Sequence, residues 1–321
     1  MNLSERISAF AKLGDALHSI EPGDKNVLIH NANNRNAWFT PQQCDLALKG
    51  ICKFLVKDKL ERWTRDYGMS ANVKKVGVVM AGNIPLVGFH DLLCVLISGH
   101  HLAAKPSSQD TVLIRYAVEQ LVNIEPQFQD YISFVERLND VDAVIATGSD
   151  NTSRYFEYYF RNKPHVIRKN RTSVAVLHGD ESDEQLVALG KDVFSYFGLG
   201  CRNVSKLIVP KDYDFRRMLG LWEVYSDVAN NHKYVNNYDY NKSILLVNRA
   251  PHLDNGFLLL TENEGLVSPI SVLYYATSAD LKSDKIQCVV SADGVPFGKS
   301  QEPELTDYAD NVDTLKFLTA L

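Results

Sequence analysis

The residues able to do chemistry in this chain are few, and each follows or precedes an apolar run. Cys201 lies in "YFGLGCRNVSKLIVP", between glycines and a run that predicts a strand. Asn83 lies in "VVMAGNIP", Lys105 in "HLAAKPSS", and Gly148 and Ser149 in "VIATGSD". A thiol with its ordinary pKa near 8.5 is only about 3% thiolate at pH 7, so a nucleophilic cysteine needs a positive or dipolar setting. Arg202 and nearby backbone N–H groups are candidates to supply it. An asparagine amide can donate to a developing oxyanion, where one pre-aimed donor is worth roughly 3 kcal/mol. Small residues ahead of a helix leave N–H groups open to phosphate. Each feature also has a plainer reading: a small buried thiol, a turn asparagine satisfying its own backbone, a solvated lysine.

Composition narrows the field. The chain has 321 residues, 45% hydrophobic and 23% charged, with a net charge of -5. That length allows two domains of ordinary size, and the charge gives no general attraction to nucleic acid. The five cysteines, 44, 52, 94, 201 and 288, are scattered with no C-x-x-C pair, which argues against a disulfide framework and a structural zinc site. His90, His100 and His101 have no carboxylate or cysteine at a ligand spacing, so no metal is expected. The run "RKNR" at 168–171 could meet phosphates but is read as a solvated face. The aromatics of "SRYFEYYF" could line an acyl tunnel but are read as core. The first residues predict an amphipathic helix rather than a signal peptide, and "GFHDLLCVLISGHHLAA" predicts a buried helix rather than a membrane span. A cytoplasmic location is expected.

The elements that must hold these residues follow an α/β rhythm. Thr40 and Pro41 predict a helix start running to about Val56, after an Asn-rich segment read as loop. Strands are expected at 76–80, in "HLAAKPSS" and in "VDAVIATGSD", each followed by a helical stretch, the first from Pro85. This is the grammar of a mainly parallel sheet whose crevice lies at the strands' carboxyl ends. A second domain starts near Ser173 with a strand at 173–177, a helix ending at 198–200 and the strand "SKLIVP". A helix with Trp222, a polar loop "NNHKYVNNYDYNK", a strand "SILLVN", a hairpin around "APHLDNGF" and strands "ISVLYYA" and "IQCVVS" complete it. The expected domains are 1–172 for a nicotinamide cofactor, 173–295 for the cysteine, and a segment 296–321 returning to the body or to a dimer contact.

"VVMAGNIPLVGFHDLLCVLISGHHLAAKPSSQD", "VIATGSDNTSRYF" and "GLGCRNVSKLIVP", in that order, resemble the aldehyde dehydrogenase superfamily, and within it the acyl-CoA reductases of the LuxC type. The resemblance spans roughly residues 26–290 and rests on order and spacing. It implies an aldehyde-dehydrogenase-like α/β fold, a Rossmann-type cofactor domain plus an α/β catalytic domain. It implies Cys201 as nucleophile and Asn83 as oxyanion donor, with the Cys201 N–H as second donor. Lys105, Ser107 and Ser108 would meet the adenosine ribose, Gly148 and Ser149 the pyrophosphate, and Glu264, with Glu262 as alternative, the nicotinamide ribose. Two departures bear on activity. Hydrolytic members carry a water-activating glutamate before the strand that here is "SVAVL", whereas "VIRKNRTSVAVL" has no carboxylate. Ser108 stands where NAD-preferring members often have glutamate, so NADPH is expected ahead of NADH. The Phe-Gly-Pro turn of the family is reduced to Pro269 in "ENEGLVSPISV".

The expected reaction is therefore reduction of an acyl-CoA thioester to an aldehyde through a thioacyl-cysteine, with coenzyme A leaving. An acyl-phosphate reductase is the alternative enzyme, and a non-catalytic member that binds a nucleotide or a partner is the alternative class. The resemblance further implies a homodimer and allows an acyl-activating or acyl-transfer partner protein.

Overall fold

The computed structural model describes residues 1–69 and 72–321. The chain divides into two compact units, one made of Met1–Lys169 with Glu304–Leu321 and the other of Asn170–Pro303.

The first unit opens with α1 (Leu3–His18), α2 (Pro22–Arg35), α3 (Pro41–Phe54) and α4 (Lys57–Thr64). Asn2 caps α1 by accepting the Glu5 N–H while Glu5 reaches back, and the helix buries Phe10, Leu13 and Leu17. The Asn-rich segment expected as loop is the second half of α2. Pro22 presets its first turn, and Leu28, Ile29 and Ala32 give it a buried face that outweighs the weak helix propensity of asparagine. α3 begins at Pro41, although Thr40 makes no side-chain capping bond.

Then come β1 (Lys75–Val79), α5 (Phe89–Ser98), β2 (His101–Lys105), α6 (Thr111–Ile124), α7 (Phe128–Tyr131), β3 (Ile132–Phe134), β4 (Ala143–Thr147), α8 (Asp150–Phe160) and β5 (His165–Arg168). The five strands form one parallel sheet in the order β3-β2-β1-β4-β5. Strand order reverses between β1 and β4, which is where such sheets open a ligand crevice. α5 is buried along nearly its whole length, as expected of a helix apolar on every side. It starts at Phe89 rather than Pro85, because residues 85–88 form a turn with Leu86 at φ 59°. No helix among the described residues is long and apolar enough to cross a membrane.

The second unit contains β6 (Thr172–Val176), α9 (Asp183–Phe194), β7 (Val204–Ile208), α10 (Phe215–Leu221), α11 (His232–Val247), β8 (Leu253–Asp254), β9 (Leu259–Glu262), β10 (Val272–Ala276) and β11 (Ile286–Val290). Its sheet runs β11-β6-β7-β10-β9-β8, parallel except for the β8–β9 hairpin. The polar loop and the strand "SILLVN" expected at 230–248 are instead the single helix α11. Asn231 caps it by accepting the Lys233 and Tyr234 N–H groups, and Tyr234, Tyr238 and Asn241 recur at helical spacing on its buried face. The chain then returns to the first unit with α12 (Thr314–Thr319).

Candidate functional site

In the first unit, the expected cofactor residues sit in three loops at the carboxyl ends of β1, β2 and β4. Gly82 and Asn83 follow β1, Lys105 closes β2 with Ser107 and Ser108 beyond it, and Gly148 and Ser149 follow β4. A Cβ on Gly82 would fall 2.6 Å from the Ser107 side chain, so only glycine lets the first two loops approach this closely. The Asn36 amide donates to the Gly82 carbonyl at 3.2 Å and fixes this loop from α2's end. Asn83 is half-buried; Lys105 and Ser108 are exposed. Ser149 caps α8, its Oγ accepting the Thr152 N–H at 3.3 Å. The helix amino end, the close-packed glycine and the exposed lysine thus all lie at the carboxyl ends of the strands around the reversal of order, where sheets of this kind leave a ligand crevice.

The sequence reading missed Asp110 behind these loops. It is 2% exposed, and one oxygen accepts the Leu86 N–H at 2.6 Å, which holds the left-handed turn beyond Asn83. Among the described residues its other oxygen has no hydrogen-bond partner. Burial pushes its pKa up to about 8.

Two expectations for this unit change. Arg168, the first residue of "RKNR", is not solvated: it is 3% exposed, pairs with Asp91 at 2.6 Å and donates to Thr314 Oγ1 at 2.7 Å. Lys169 pairs with Glu157 on the surface. On α8 the core reading holds for Phe156 and Phe160, which pack on the sheet, while Tyr155, Tyr158 and Tyr159 face solvent. The helix carries aromatics on both faces. The histidines are held by backbone and rings. His100 accepts the Lys74 N–H on Nδ1 and therefore donates from Nε2 to the Leu318 carbonyl. His101 stacks on Tyr131, and His90 lies against Phe54, Trp63 and Tyr308. Among the described residues no three His, Cys, Asp or Glu side chains group to hold a metal.

In the second unit, Cys201 occupies a turn between α9 and β7. Tyr196, Phe197 and Gly198 are all left-handed, a strained path for the two aromatics that their burial sustains. Asn203 then locks the turn. Its amide nitrogen donates to the Asp192, Val193 and Ser195 carbonyls at the end of α9, and its oxygen accepts the Gly200 N–H at 2.8 Å. One buried side chain thus satisfies helix-end carbonyls and closes the loop carrying the thiol. Cys201 and Arg202 are both half-buried. From β6, Ser173 Oγ donates to the Cys201 carbonyl at 3.1 Å and lies 3.1 Å from Cys288 Sγ.

Glu264 is exposed in the loop between β9 and β10, and side chains of β7, the strand that follows the Cys201 turn, hold the backbone of that loop. Ser205 Oγ donates to the Leu266 carbonyl at 2.6 Å, and Lys206 Nζ to the Glu264 carbonyl at 3.0 Å. Glu262 ends β9 and is exposed.

Comparison with solved structures concerns the fold. The chain superposes on an indole-3-acetaldehyde dehydrogenase of P. syringae, in complex with NAD+, with a TM-score of 0.67 at 13% identity, covering 91% of this chain and 73% of that one. An aldehyde dehydrogenase of Mycobacterium tuberculosis complexed with NAD+ gives 0.64 at 13% identity, over 91% and 74%. Aldehyde dehydrogenase C of Pseudomonas syringae, with NAD+ and octanal, gives 0.64 at 12% identity, over 91% and 73%. The fold is that of the aldehyde dehydrogenases. By sequence, no family model and no curated protein matches. Likeness at such identities is likeness of fold, so the roles of individual residues rest on the local geometry above.

Proposed function

We propose that this protein is an NADPH-dependent acyl-CoA reductase in which Cys201 is the nucleophile. The observation that carries the reading is the entry to β6. Ser173 at that entry touches the Cys201 turn, and the chain leading into it, "KPHVIRKNRT", contains no carboxylate to activate water. A thioacyl enzyme formed there would have no base from this segment to hydrolyse it.

In the proposed reaction, the Cys201 thiolate attacks the thioester carbonyl, a C–S bond forms, and the C–S bond to coenzyme A breaks with the leaving thiolate taking the electron pair and a proton. A bound reduced nicotinamide would supply the hydride for the second half-reaction. Collapse of the reduced adduct then releases the aldehyde and returns Cys201 as thiolate. The Cys201 N–H and the Asn83 amide are the proposed donors to the oxyanion in both halves. Lys105, Ser107 and Ser108 are assigned to the adenosine ribose, Gly148 and Ser149 to the pyrophosphate, and Glu264 to the nicotinamide ribose. Ser108 presents a hydroxyl where a carboxylate would repel a 2'-phosphate, which favours NADPH over NADH. A homodimer belongs to the same proposal; the bare side chains of Tyr240, Ile244 and Val247, at helical spacing on α11, are an apolar surface that pairing could cover.

The test is incubation with NADPH and acyl-CoA thioesters of graded chain length beside a Cys201→Ala control. Oxidation of NADPH with matching release of coenzyme A, absent from the control, is expected. Turnover of acyl phosphates alone, with release of phosphate, would replace the thioester reading.

A further inference from the structure

Lys206 is fully buried, at 0% exposure, in the middle of the second sheet, where β7 runs between β6 and β10. An ammonium in such a place is costly unless it is held, and an apolar side chain of the same length would fill the strand more cheaply. Its hydrogen-bond acceptor is the main-chain carbonyl of Glu264. The neighbouring Ser205 also reaches this loop, two residues further on, at Leu266.

Consecutive residues of a regular strand point to opposite faces, so two adjacent side chains cannot ordinarily reach one loop. The pairing of β6 with β7 resolves this. Ser173 is opposite Val204 and Val174 is opposite Lys206, which leaves Ser205 as an extra residue on β7. Such a bulge re-aims side chains locally. It lies four residues beyond Cys201, on the strand that the thiol's turn leads into.

We infer that Lys206 is a positioning residue for the nicotinamide-nucleotide contact. Through the bulge at Ser205, the strand that follows the nucleophile also fixes the height and direction of the Glu264 loop. The inference rests on the assignment of Glu264 made above. Asn263 adds local stiffness, its side-chain oxygen accepting the Gly265 N–H at 2.7 Å, while Ser205 and Lys206 tie the loop's carbonyls to β7.

The experiment compares Lys206→Met, Lys206→Arg, Glu264→Gln and the Lys206→Met/Glu264→Gln double variant. NADPH binding is read by nucleotide fluorescence, and Cys201 reactivity by its iodoacetamide alkylation rate. Lys206→Met is expected to weaken NADPH binding about tenfold, the scale of loss for a misplaced contact, with alkylation within about twofold of wild type. Lys206→Arg is expected to restore most of the binding, and the double variant to bind no more weakly than the weaker single variant, because both losses pass through one contact. Equal NADPH binding by wild type and Lys206→Met, or losses that add independently, would overturn the inference. Should Lys206→Met not fold, Ser205→Ala carries the same test: weakened NADPH binding with unchanged alkylation supports the inference, and unchanged binding overturns it. Absence of NADPH binding by the wild-type protein is a separate result, in which the functional reading itself fails and takes the inference with it.

Discussion

Asp110 carries the most readable single-residue consequence. A free aspartate titrates near 3.9, whereas burial holds this one at about 8. Between those values the folded protein keeps a proton that the unfolded chain releases. Its contribution to stability is therefore fully present below about pH 4 and lost as pH rises through about 8. Asp110→Asn preserves an acceptor for the Leu86 N–H and cannot ionise. In urea unfolding, the variant should gain on wild type between pH 5 and pH 8 by on the order of a few kcal/mol; parallel curves would show that Asp110 titrates as an ordinary carboxylate. The thiols differ in the same way. Burial, with help from Asp110, pushes Cys44 up to about 12, and burial raises Cys94 and Cys52 as well. Iodoacetamide at pH 7 should modify Cys201 well before Cys44 or Cys94, and peptide mass spectrometry would show preferential labelling of the buried pair if the nucleophile is misassigned.

Among elements, the joint of α5, β5 and α12 is the sharpest test of packing. Asp91 and Arg168 are buried together, yet among the described residues Asp91 Oδ1 and Arg168 Nε have no hydrogen-bond partner. Removing one member strands the other charge, so Asp91→Ala should cost about 3–5 kcal/mol, while Asp91→Leu with Arg168→Leu should recover most of it. A loss below about 1 kcal/mol on chemical denaturation would mean that water reaches the pair. Strands β1, β2, β4, β6 and β7 were legible in the sequence as short apolar runs closed by turn-forming residues, whereas β3 and β5, three and four residues long, had no such run and were not. The helices α2 and α11 were not. Their asparagines speak for turns, and α11 carries apolar residues on both faces, so "SILLVN" imitates a strand; what makes it a helix is the buried file of Tyr234, Tyr238 and Asn241. The site divides along the same line. Cys201, Lys105 and Gly148 stand at ends of visible runs. Asn203, Lys206 and Asp110 act on backbone atoms, and for the last two those atoms lie in other segments, Glu264 and Leu86, a relation no local pattern records.

At the scale of the whole molecule, the first unit is discontinuous: its last stretch, Glu304–Leu321, comes after the entire second unit. That stretch supplies the Leu318 carbonyl to His100, the Thr314 hydroxyl to Arg168, the Tyr308 hydroxyl as acceptor to the Trp63 indole N–H and the Tyr308 ring to His90. Deleting 304–321 should therefore strip hydrogen-exchange protection from α5 and β2 while leaving β7 and β10 protected; uniform loss in both units would show that they unfold as one. On the ribosome the order of completion is inverted. The second unit, later in the chain, has all its residues before the first has its final helix, so the part that emerges first must wait, with the apolar flank of α5 open, until the last residues arrive.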